Sequence, residues 1–383
     1  MSSLPNIIFK SKSSWIRSLL PKKNYKTNNR TSNRNLSSYF KGARNYFLGF
    51  NISEIEKSEP VDEIIPFVKY PLFTRDQLKK IAIEKFKFDY GHASFGFHSD
   101  SIQPSINSLS DLTDPTQLNS LLPRRRPEGS PSDTLSIKAG DDTMLVSPSV
   151  LAVADGVSGW ESDGELADSG IWSRAIVETF SRLMTEYKIN HTPHHLKRRD
   201  IEEILNDSYL HTSHLMDLQK LKGSSTLVLG MLSGDILLMI SIGDSKLFII
   251  RDSKIILTNK EESSNLCPTQ IGTNTISTMP SDFAWIDSFK LKENDYIIMC
   301  SDGITDNLYE EEILNYLNEF KNNNPKTIAN KLLIKAKEVA FDDYAYTPYN
   351  EKVNSNPNNH TNSQGGKVDD MTIVVAKVVK NSK

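Results

Sequence analysis

The stretch Leu151–Trp160 reads LAVADGVSGW, an apolar run that stops at Asp155-Gly156 and then turns. A short apolar run bounded by turn residues is typical of a buried β-strand. Taken alone, the Asp-Gly pair indicates only a tight turn, because turns favour both residues. The same arrangement recurs along the chain, and its recurrence points to a shared chemical role.

Acidic residues stand at the ends of several predicted strands. Gly140-Asp141-Asp142 precedes a strand, Ser301-Asp302-Gly303 ends one, and Val368-Asp369-Asp370 begins the last. Burying several carboxylates at the rim of a sheet is unfavourable unless a cation neutralises them. Since no His or Cys cluster accompanies them in the sequence, their oxygen atoms favour Mg²⁺ or Mn²⁺. Two such ions about 4 Å apart would activate a water molecule for in-line displacement at phosphorus.

The order of predicted elements indicates an α+β fold with paired helices between runs of strands. One strand is predicted over 144–154, and long helices are predicted over 165–187 and from Asp200, which we expect to be an N-cap. Three strands joined by turns then predict an antiparallel meander. The remaining predictions are strands over 295–300 and 371–379, helices over 311–320 and 325–341, and an Asn-rich loop over 350–366.

Composition and charge set limits on localisation and partners. Residues 1–53 contain ten Lys and Arg but no Asp or Glu, and they are rich in Ser, which is typical of a mitochondrial presequence. A basic tail or a nuclear localisation patch are the alternatives. The net charge of −3 gives no reason to expect nucleic acid as a partner. The two cysteines predict neither a disulfide nor a zinc site, and no membrane span is expected.

The remaining boundaries follow from changes in pattern. We expect a connector over 54–85 that becomes helical near Thr74, and a catalytic domain over 86–380 that opens with a strand. Surface insertions are expected near 99–136 and 345–367. The first contains Arg124-Arg125-Arg126, which would bind an acidic substrate or lie solvated in a loop.

The motifs GDD, LAVADGVSGW, GSSTLVLG, SIGDSKLFIIRD, IIMCSDGITDNL and DDMTIVV occur in this order between about Phe86 and Val379. This set resembles the metal-dependent type 2C (PPM) Ser/Thr protein phosphatase family. DGVSGW and NLCPTQIG are similar to its mitochondrial branch. The resemblance implies a four-layer α-β-β-α sandwich of two antiparallel sheets flanked by helix pairs. It also implies a phosphoric monoester hydrolase that uses two Mg²⁺ or Mn²⁺ ions and a metal-activated water, without a phosphoenzyme.

The resemblance also implies the roles of individual residues. Asp155 bridges both ions and the Gly156 carbonyl binds one of them, while Asp302 and Asp369 bind directly. Asp141 and Asp142 act at or through metal-bound water. Asp370 is expected to be a polar neighbour, because adjacent side chains of a regular strand face opposite sides.

Two positions depart from the family pattern. Val157 stands where the family commonly has a His, so either a metal-bound water or another His would protonate the leaving group. Lys138 is the nearest cation to the usual position of the phosphate-binding Arg, and it either binds phosphate or is a solvated strand residue.

Other polar residues are interpreted structurally. We expect Asp244 to stabilise a turn, with a supporting contribution to the site as the alternative. Ser224 is expected at a strand start, His211 and His214 at the surface or half-buried, and Cys300 in the core.

The alternative function is a catalytically weak or inactive protein that keeps the phosphatase fold for binding or regulation. The retained carboxylates argue against it, because a binding module has no need to bury uncompensated charge. Hydrolysis of small phosphoesters is a third hypothesis.

The resemblance suggests phosphorylated mitochondrial proteins as partners, including enzymes of metabolism or ubiquinone synthesis in the matrix. The sequence leaves the oligomeric state and the choice between Mg²⁺ and Mn²⁺ open.

Overall fold

Two antiparallel sheets form the centre of the structure, a computed structural model of the 383-residue chain. It describes residues 73–81, 83–97, 133–157, 166–191, 196–261, 263–264, 267–273, 278–356 and 362–381. All of these belong to the unit Tyr46–Lys383. The predicted presequence 1–53, most of the insertion 99–136 with Arg124-Arg125-Arg126, and the turn residues 158–160 lie outside the described residues.

The first sheet has six strands, in the order β15-β9-β8-β4-β3-β2. Its strands are β2 (Leu135–Ala139), β3 (Asp142–Val146), β4 (Val150–Ala154), β8 (Leu227–Ser233), β9 (Ile236–Ile242) and β15 (Trp285–Lys290). The prediction of one strand over 144–154 was wrong, because residues 147–149 turn the chain back between β3 and β4. Ser147 closes this turn, since its Oγ accepts a hydrogen bond of 2.9 Å from the Val150 N–H.

The second sheet has five strands, in the order β1-β17-β16-β10-β11. They are β1 (Phe86–Phe95), β10 (Lys246–Arg251), β11 (Lys254–Thr258), β16 (Tyr296–Cys300) and β17 (Met371–Lys380). The predicted meander is therefore wrong in one respect: β8 and β9 pair, but β10 belongs to the other sheet. Gly243, with φ of 96°, redirects the chain between them, a backbone conformation that glycine adopts readily.

Short strands and helices complete the order. The short strands are β5 (Leu166–Ala167), β6 (Leu221–Lys222), β7 (Ser224–Ser225), β12 (Ser263–Ser264), β13 (Cys267–Pro268) and β14 (Ile271–Gly272), and a 3₁₀ turn covers Pro280–Asp282. The helices are α1 (Arg75–Leu78), α2 (Ser169–Asn190), α3 (Arg198–Gln219), α4 (Asp302–Thr305), α5 (Glu310–Phe320), α6 (Pro325–Ala340) and α7 (Pro348–Ser355).

Apolar side chains pack the elements into four layers. Helices α2 and α3 cover the six-stranded sheet around Trp172 and Phe180. The two sheets pack face to face around residues such as Met144 and Val374. Helices α5 and α6 cover the five-stranded sheet around Phe95. The predicted four-layer α-β-β-α sandwich is confirmed.

Several helix boundaries differ from the predictions. Helix α2 begins at Ser169, because the Asp168 carboxylate caps it by accepting the Ile171 N–H at 2.7 Å. Asp200 lies inside α3, where its carboxylate accepts the Lys197 N–H at 2.8 Å. The predicted helix near Thr74 is one short turn.

Three other predictions concern single segments or side chains. Helix α7 occupies 348–355, part of which was predicted as loop. His211 is buried, at 7% exposure, rather than at the surface or half-buried as predicted. Cys300 is fully buried, as predicted. Among the described residues, none of the helices has the length and apolar character needed to cross a membrane.

Candidate active site

Antiparallel pairing brings the acidic strand ends together. Thr143 pairs with Ala154, so Asp142 at the start of β3 lies beside Asp155 at the end of β4. In the other sheet, Cys300 pairs with Ile373. This pairing places Asp302, just after β16, near Asp369, just before β17.

A cavity of about 290 Å³ lies at these strand ends. Its wall carries five carboxylates and two ammonium groups. The lining residues are Asp155, Gly156, Val157, Asp244, Ser263, Pro268, Asp302, Asp306, Tyr349, Lys352, Lys367 and Asp369. A wall with this excess of acidic side chains favours cations of high charge density.

Asp155 is held in place through its backbone. Its N–H donates to Thr226 Oγ1 at 3.2 Å, and its carbonyl accepts from the Thr226 N–H at 2.9 Å. Gly156 forms a β-bridge with Ser225, and the Val157 N–H donates to the Ser224 carbonyl at 2.9 Å. The strand end is thus extended by pairing with β7, which directs the Asp155 carboxylate into the cavity without a flexible loop.

Burial and neighbouring charges act together on Asp155. Burial raises the pKa of its carboxyl well above the usual value, and the negative charges of Asp142 and Asp302 raise it further. Without a cation, ionisation of this carboxyl is therefore disfavoured. Its carboxyl also shares a hydrogen bond with that of Asp302.

Asp142 lies below the cavity and is fully buried. Its Oδ2 accepts a hydrogen bond of 2.7 Å from Ser301 Oγ. Its Oδ1 makes no hydrogen bond of ordinary geometry with any described residue, although the nearby Thr372 hydroxyl lowers the pKa. Burial first, and then Asp370, raise the pKa of Asp142 overall. A buried carboxylate oxygen without a good donor is typical of a group that faces a cation or an ordered water.

Asp302 contrasts with Asp155. Burial by itself would raise the pKa of Asp302, but the Lys367 ammonium outweighs it, so the pKa is lowered. Lys367 Nζ lies 2.7 Å from Asp302 Oδ2 and 3.0 Å from Asp369 Oδ2. It also lies 2.7 Å from Oδ2 of Asp306, which follows Asp302 by one helical turn.

Asp370 points away from the cavity, towards the backbone. Its Oδ1 accepts the Phe97 N–H at 2.7 Å, and its Oδ2 accepts the Asp141 N–H at 2.6 Å. Asp369 therefore faces the cavity, and Asp370 ties the start of β17 to β1 and to the turn before β3. Burial raises the pKa of Asp370 to about 7.

Asp244 also lines the cavity, although the sequence interpretation assigned it mainly to a turn. Its Oδ1 is buried and lacks a hydrogen-bond partner among the described residues. Burial first, and then Asp302 and Asp306, raise its pKa to about 7. These properties match those of the cavity carboxylates rather than those of a solvated turn residue.

Other candidates lie elsewhere. Lys138 and Asp141 do not line the cavity, and Lys138 Nζ approaches Gly170 at the start of α2. Ser224 lies on β7, where its hydroxyl donates to the Gln270 side chain. The described cavity wall contains Val157 but no His, and His211 belongs to the core beneath α3.

The donor set fits Mg²⁺ or Mn²⁺. Carboxylate oxygens and the Gly156 carbonyl are the ligands these ions prefer, and the oxygen of Asp142 without a partner is consistent with a nearby cation. Within the described chain, however, no three His, Cys, Asp or Glu side chains are already arranged as a metal site. The Lys367 ammonium binds three of the carboxylates instead.

The cavity residues that the sequence analysis missed include three charged side chains and one aromatic side chain. Asp306 follows Asp302 by four positions, a spacing that places both on one face of a helix. Lys367 precedes Asp369 by two positions, and residues i and i+2 of an extended segment face the same side. Both spacings are visible in the sequence and could have identified Asp306 and Lys367 as residues of the site. Tyr349 and Lys352 lie on α7, for which the sequence provided no comparable pattern.

Comparisons with known proteins agree with this geometry. Residues 139–336 match the family model for protein phosphatase 2C. The chain is 29% identical over 255 residues to a probable protein phosphatase 2C 1 of Oryza sativa subsp. japonica, covering 62% of this chain and 70% of that protein. It is 29% identical over 258 residues to the protein phosphatase PTC7 homolog of Homo sapiens, covering 63% and 80%.

A solved structure supports the same conclusion. The photosystem II phosphatase PBCP aligns with a TM-score of 0.52 and 26% identity, over 62% of this chain and 91% of that chain. The family match contains Asp155 and Asp302, and it ends before Asp369. On the family match and the shared fold together, the chain belongs to the protein phosphatase 2C family of protein serine/threonine phosphatases.

Proposed function

We propose that this protein removes phosphate from phosphoserine and phosphothreonine of mitochondrial proteins, with Mg²⁺ or Mn²⁺ and by direct attack of water. The observation that carries the proposal is the cavity wall, in which five carboxylates converge from the ends of both sheets. Bound ions would neutralise these carboxylates, supply the nucleophilic water and bind the phosphate oxygens. Asp155, Asp302, Asp369 and the Gly156 carbonyl are the residues that would hold them.

The protein residues have distinct tasks in this reaction. Asp155 and Asp302 belong to different sheets, so the rigid packing of the sandwich sets their separation. Asp142 and Asp141 lie beneath and beside Asp155, where Asp142 would orient water through its free oxygen. Asp370 is expected to orient Asp369 through its two backbone hydrogen bonds.

Direct hydrolysis is favoured over a covalent intermediate. Ser263 and Tyr349 carry the hydroxyl groups on the described wall, and no His accompanies them as a base. Since Val157 cannot donate a proton, we infer that a water molecule in the cavity protonates the leaving alkoxide. The histidines nearest the site are replaced one at a time to test this inference. A large loss of kcat together with a shifted limb of the pH profile in one of these variants would contradict it.

The test uses the full chain and a phosphothreonine peptide. We expect turnover with Mn²⁺, none with EDTA, and a loss of at least about 1,000-fold in Asp155→Asn and in Asp302→Asn, because each removes charge that would bind an ion. Asp89→Asn, at an exposed position on β1, is the matched control and should keep wild-type activity. A folded, Mn²⁺-binding wild type without turnover would favour the regulatory module, and preference for nucleotides over phosphopeptides would favour the small-phosphoester hypothesis.

The proposed mitochondrial localisation rests on residues 1–53. Their basic, acid-free composition supports it, and so does the similarity to proteins named PTC7 homologs. A fluorescent protein fused after residue 53 should co-localise with a mitochondrial matrix marker. Replacing the basic residues of this segment by Gln should leave the fusion in the cytosol, and import that survives this change would contradict the proposal.

A further inference from the structure

Lys367 occupies the position of a cation among three carboxylates. Its Nζ lies 2.7 Å from Asp302 Oδ2, 2.7 Å from Asp306 Oδ2 and 3.0 Å from Asp369 Oδ2. The Tyr349 ring lies 5.4 Å away on the cavity side. Carboxylate oxygens are also the ligands that Mg²⁺ and Mn²⁺ prefer, with water completing the coordination.

The backbone of Lys367 is fixed as firmly as its side chain. Its N–H donates to Asn307 Oδ1 at 2.9 Å, and its carbonyl accepts from Asn307 Nδ2 at 2.8 Å. Asn307 is buried, and its Nδ2 also donates to the Gly303 carbonyl. The backbone that carries the ammonium is therefore fixed by Asn307, which lies just beyond α4.

Lys367 and Lys352, the two lysines on the cavity wall, differ in how closely they contact the carboxylates and in how exposed they are. Lys352 lies 3.5 Å from Asp306 and 3.5 Å from Glu261, and its side chain is 40% exposed. Lys367 makes three shorter contacts and is 26% exposed. Burial alone would lower the pKa of Lys367, but Asp302, Asp306 and Asp369 raise it.

We propose that Lys367 is a tethered cation that permanently fills one of the cation positions of this site. Its ammonium contacts Oδ2 of Asp302 together with Asp306. The part of the Asp302 carboxylate that faces Asp155 is left for divalent ions. Lys367 is thus a positioning residue, which sets how many ions bind and how Asp302 and Asp369 are oriented. This inference rests on the proposed metal dependence.

Removing the charge should open the position to an ion. In Lys367→Met, the oxygens of Asp302, Asp306 and Asp369 lose their cation and are left close together. We expect this variant to bind one more Mn²⁺ per chain than the wild type. The overall Mn²⁺ affinity should rise by about tenfold, the effect expected for one unit charge near a divalent ion.

The experiment counts Mn²⁺ bound to the full chain by equilibrium dialysis with metal analysis and by the electron paramagnetic resonance of free Mn²⁺. Lys367→Arg keeps the charge and should behave as the wild type. Lys352→Met removes a charge from the same cavity without opening the three-carboxylate position, so its stoichiometry should also match the wild type. Lys367→Met with Asp306→Asn should lose the extra ion.

Folding is checked by thermal unfolding in EDTA and in Mn²⁺, and Lys367→Gln provides a second neutral variant. Both neutral variants should gain more thermal stability from Mn²⁺ than the wild type does. If they are folded but bind the wild-type number of ions with affinities within twofold of it, the tethered-cation role is wrong. A wild type that binds no Mn²⁺ and shows no metal-dependent turnover would instead refute the proposed function.

Discussion

Asp155 and Asp302 acquire opposite pKa shifts although both lie at strand ends of one cavity. Burial and its acidic neighbours raise the pKa of Asp155, whereas the Lys367 ammonium overcomes burial and lowers the pKa of Asp302. The Lys367 ammonium makes the largest contribution that lowers the pKa of Asp302, and the hydrogen bond shared with Asp155 lowers it further. In the absence of a cation, ionisation of Asp302 is therefore favoured over ionisation of Asp155.

At the scale of single residues, the sequence predicted the acidic strand ends but not their partners. Asp155, Asp302 and Asp369 follow or precede apolar runs, a pattern visible along the chain. Whether a neighbouring group compensates their charge depends on contacts across the fold, such as those of Lys367. Asp244 was interpreted as a turn residue for the same reason, since its neighbours Asp302 and Asp306 are distant in sequence.

His211 provides a prediction about pH and stability. Burial first, and then the charges of Arg182 and His214, lower its pKa to about 4 in the folded protein. The unfolded chain, with a His pKa near 6.5, binds more protons between these values. The contribution of His211 is therefore complete above about pH 6.5 and declines as the pH falls towards 4.

We expect about 2 kcal/mol of folding free energy to be lost from this group between pH 7 and pH 5. Urea unfolding of the wild type and of His211→Gln at both pH values measures it. The variant should lose less stability on acidification than the wild type, because glutamine does not titrate. Equal pH dependence of the wild type and His211→Gln would contradict the assignment.

At the scale of elements, the strands were predicted better than their boundaries and connections. The alternating aromatic and polar residues of β1 and the apolar runs of β16 and β17 stand out in the sequence, and these strands were found. The turn at 147–149 was missed because Ser-Pro-Ser lies inside a longer apolar stretch. Helix α2 begins later than predicted, because β5 pairs with β6, a contact that is not local in sequence.

Gly140 provides a prediction about the turn between β2 and β3. It has φ of 61°, and a Cβ built on it would lie 2.0 Å from Asp370 Oδ1. Gly234 has φ of 68° but has no atom within 4 Å of such a Cβ. Gly140→Ala therefore carries both backbone strain and a steric clash, whereas Gly234→Ala carries the strain alone.

We expect Gly234→Ala to cost about 1 kcal/mol of unfolding free energy and Gly140→Ala at least about 2 kcal/mol more, because Asp370 must move and lose hydrogen bonds to buried backbone groups. Denaturant unfolding measures both losses of unfolding free energy, provided that the free energy depends on denaturant concentration with the same slope in the two variants. Gly140→Ala should also lower turnover, since Asp370 adjoins Asp369. Equal destabilisation by the two variants would show that Asp370 moves at no cost.

At the scale of the whole molecule, the layered fold was predictable because pairs of helices alternate with runs of strands. The assignment of β10 to the second sheet was not, because the sequence of its connection resembles an ordinary hairpin turn. Because β9 and β10 belong to different sheets, the connection between them crosses from one sheet to the other and brings Asp244 to the cavity. The site joins the two sheets, with Asp155 on one and Asp302 and Asp369 on the other.

Metal binding should therefore stabilise the packing of the two sheets. With Mn²⁺ at 100 times its dissociation constant, the gain is about 2.7 kcal/mol for one ion, or roughly 5 °C or more in the unfolding temperature. Differential scanning fluorimetry with and without EDTA measures this shift. It should be much smaller in Asp155→Asn and unchanged in Asp89→Asn, and a wild type indifferent to Mn²⁺ would contradict the shared site.

The pairing of β1 with β17 has a consequence for biosynthesis. These strands pair over their full length, from Phe86 with Lys380 to Phe95 with Met371, and β17 also separates β1 from β16. A nascent chain on the ribosome therefore cannot pair β1 until β17, the last of the described strands, has been translated. Catalytic competence is consequently acquired after synthesis of the last strand rather than progressively, and a chaperone that shields the waiting β1 edge would protect the protein from aggregation during that interval.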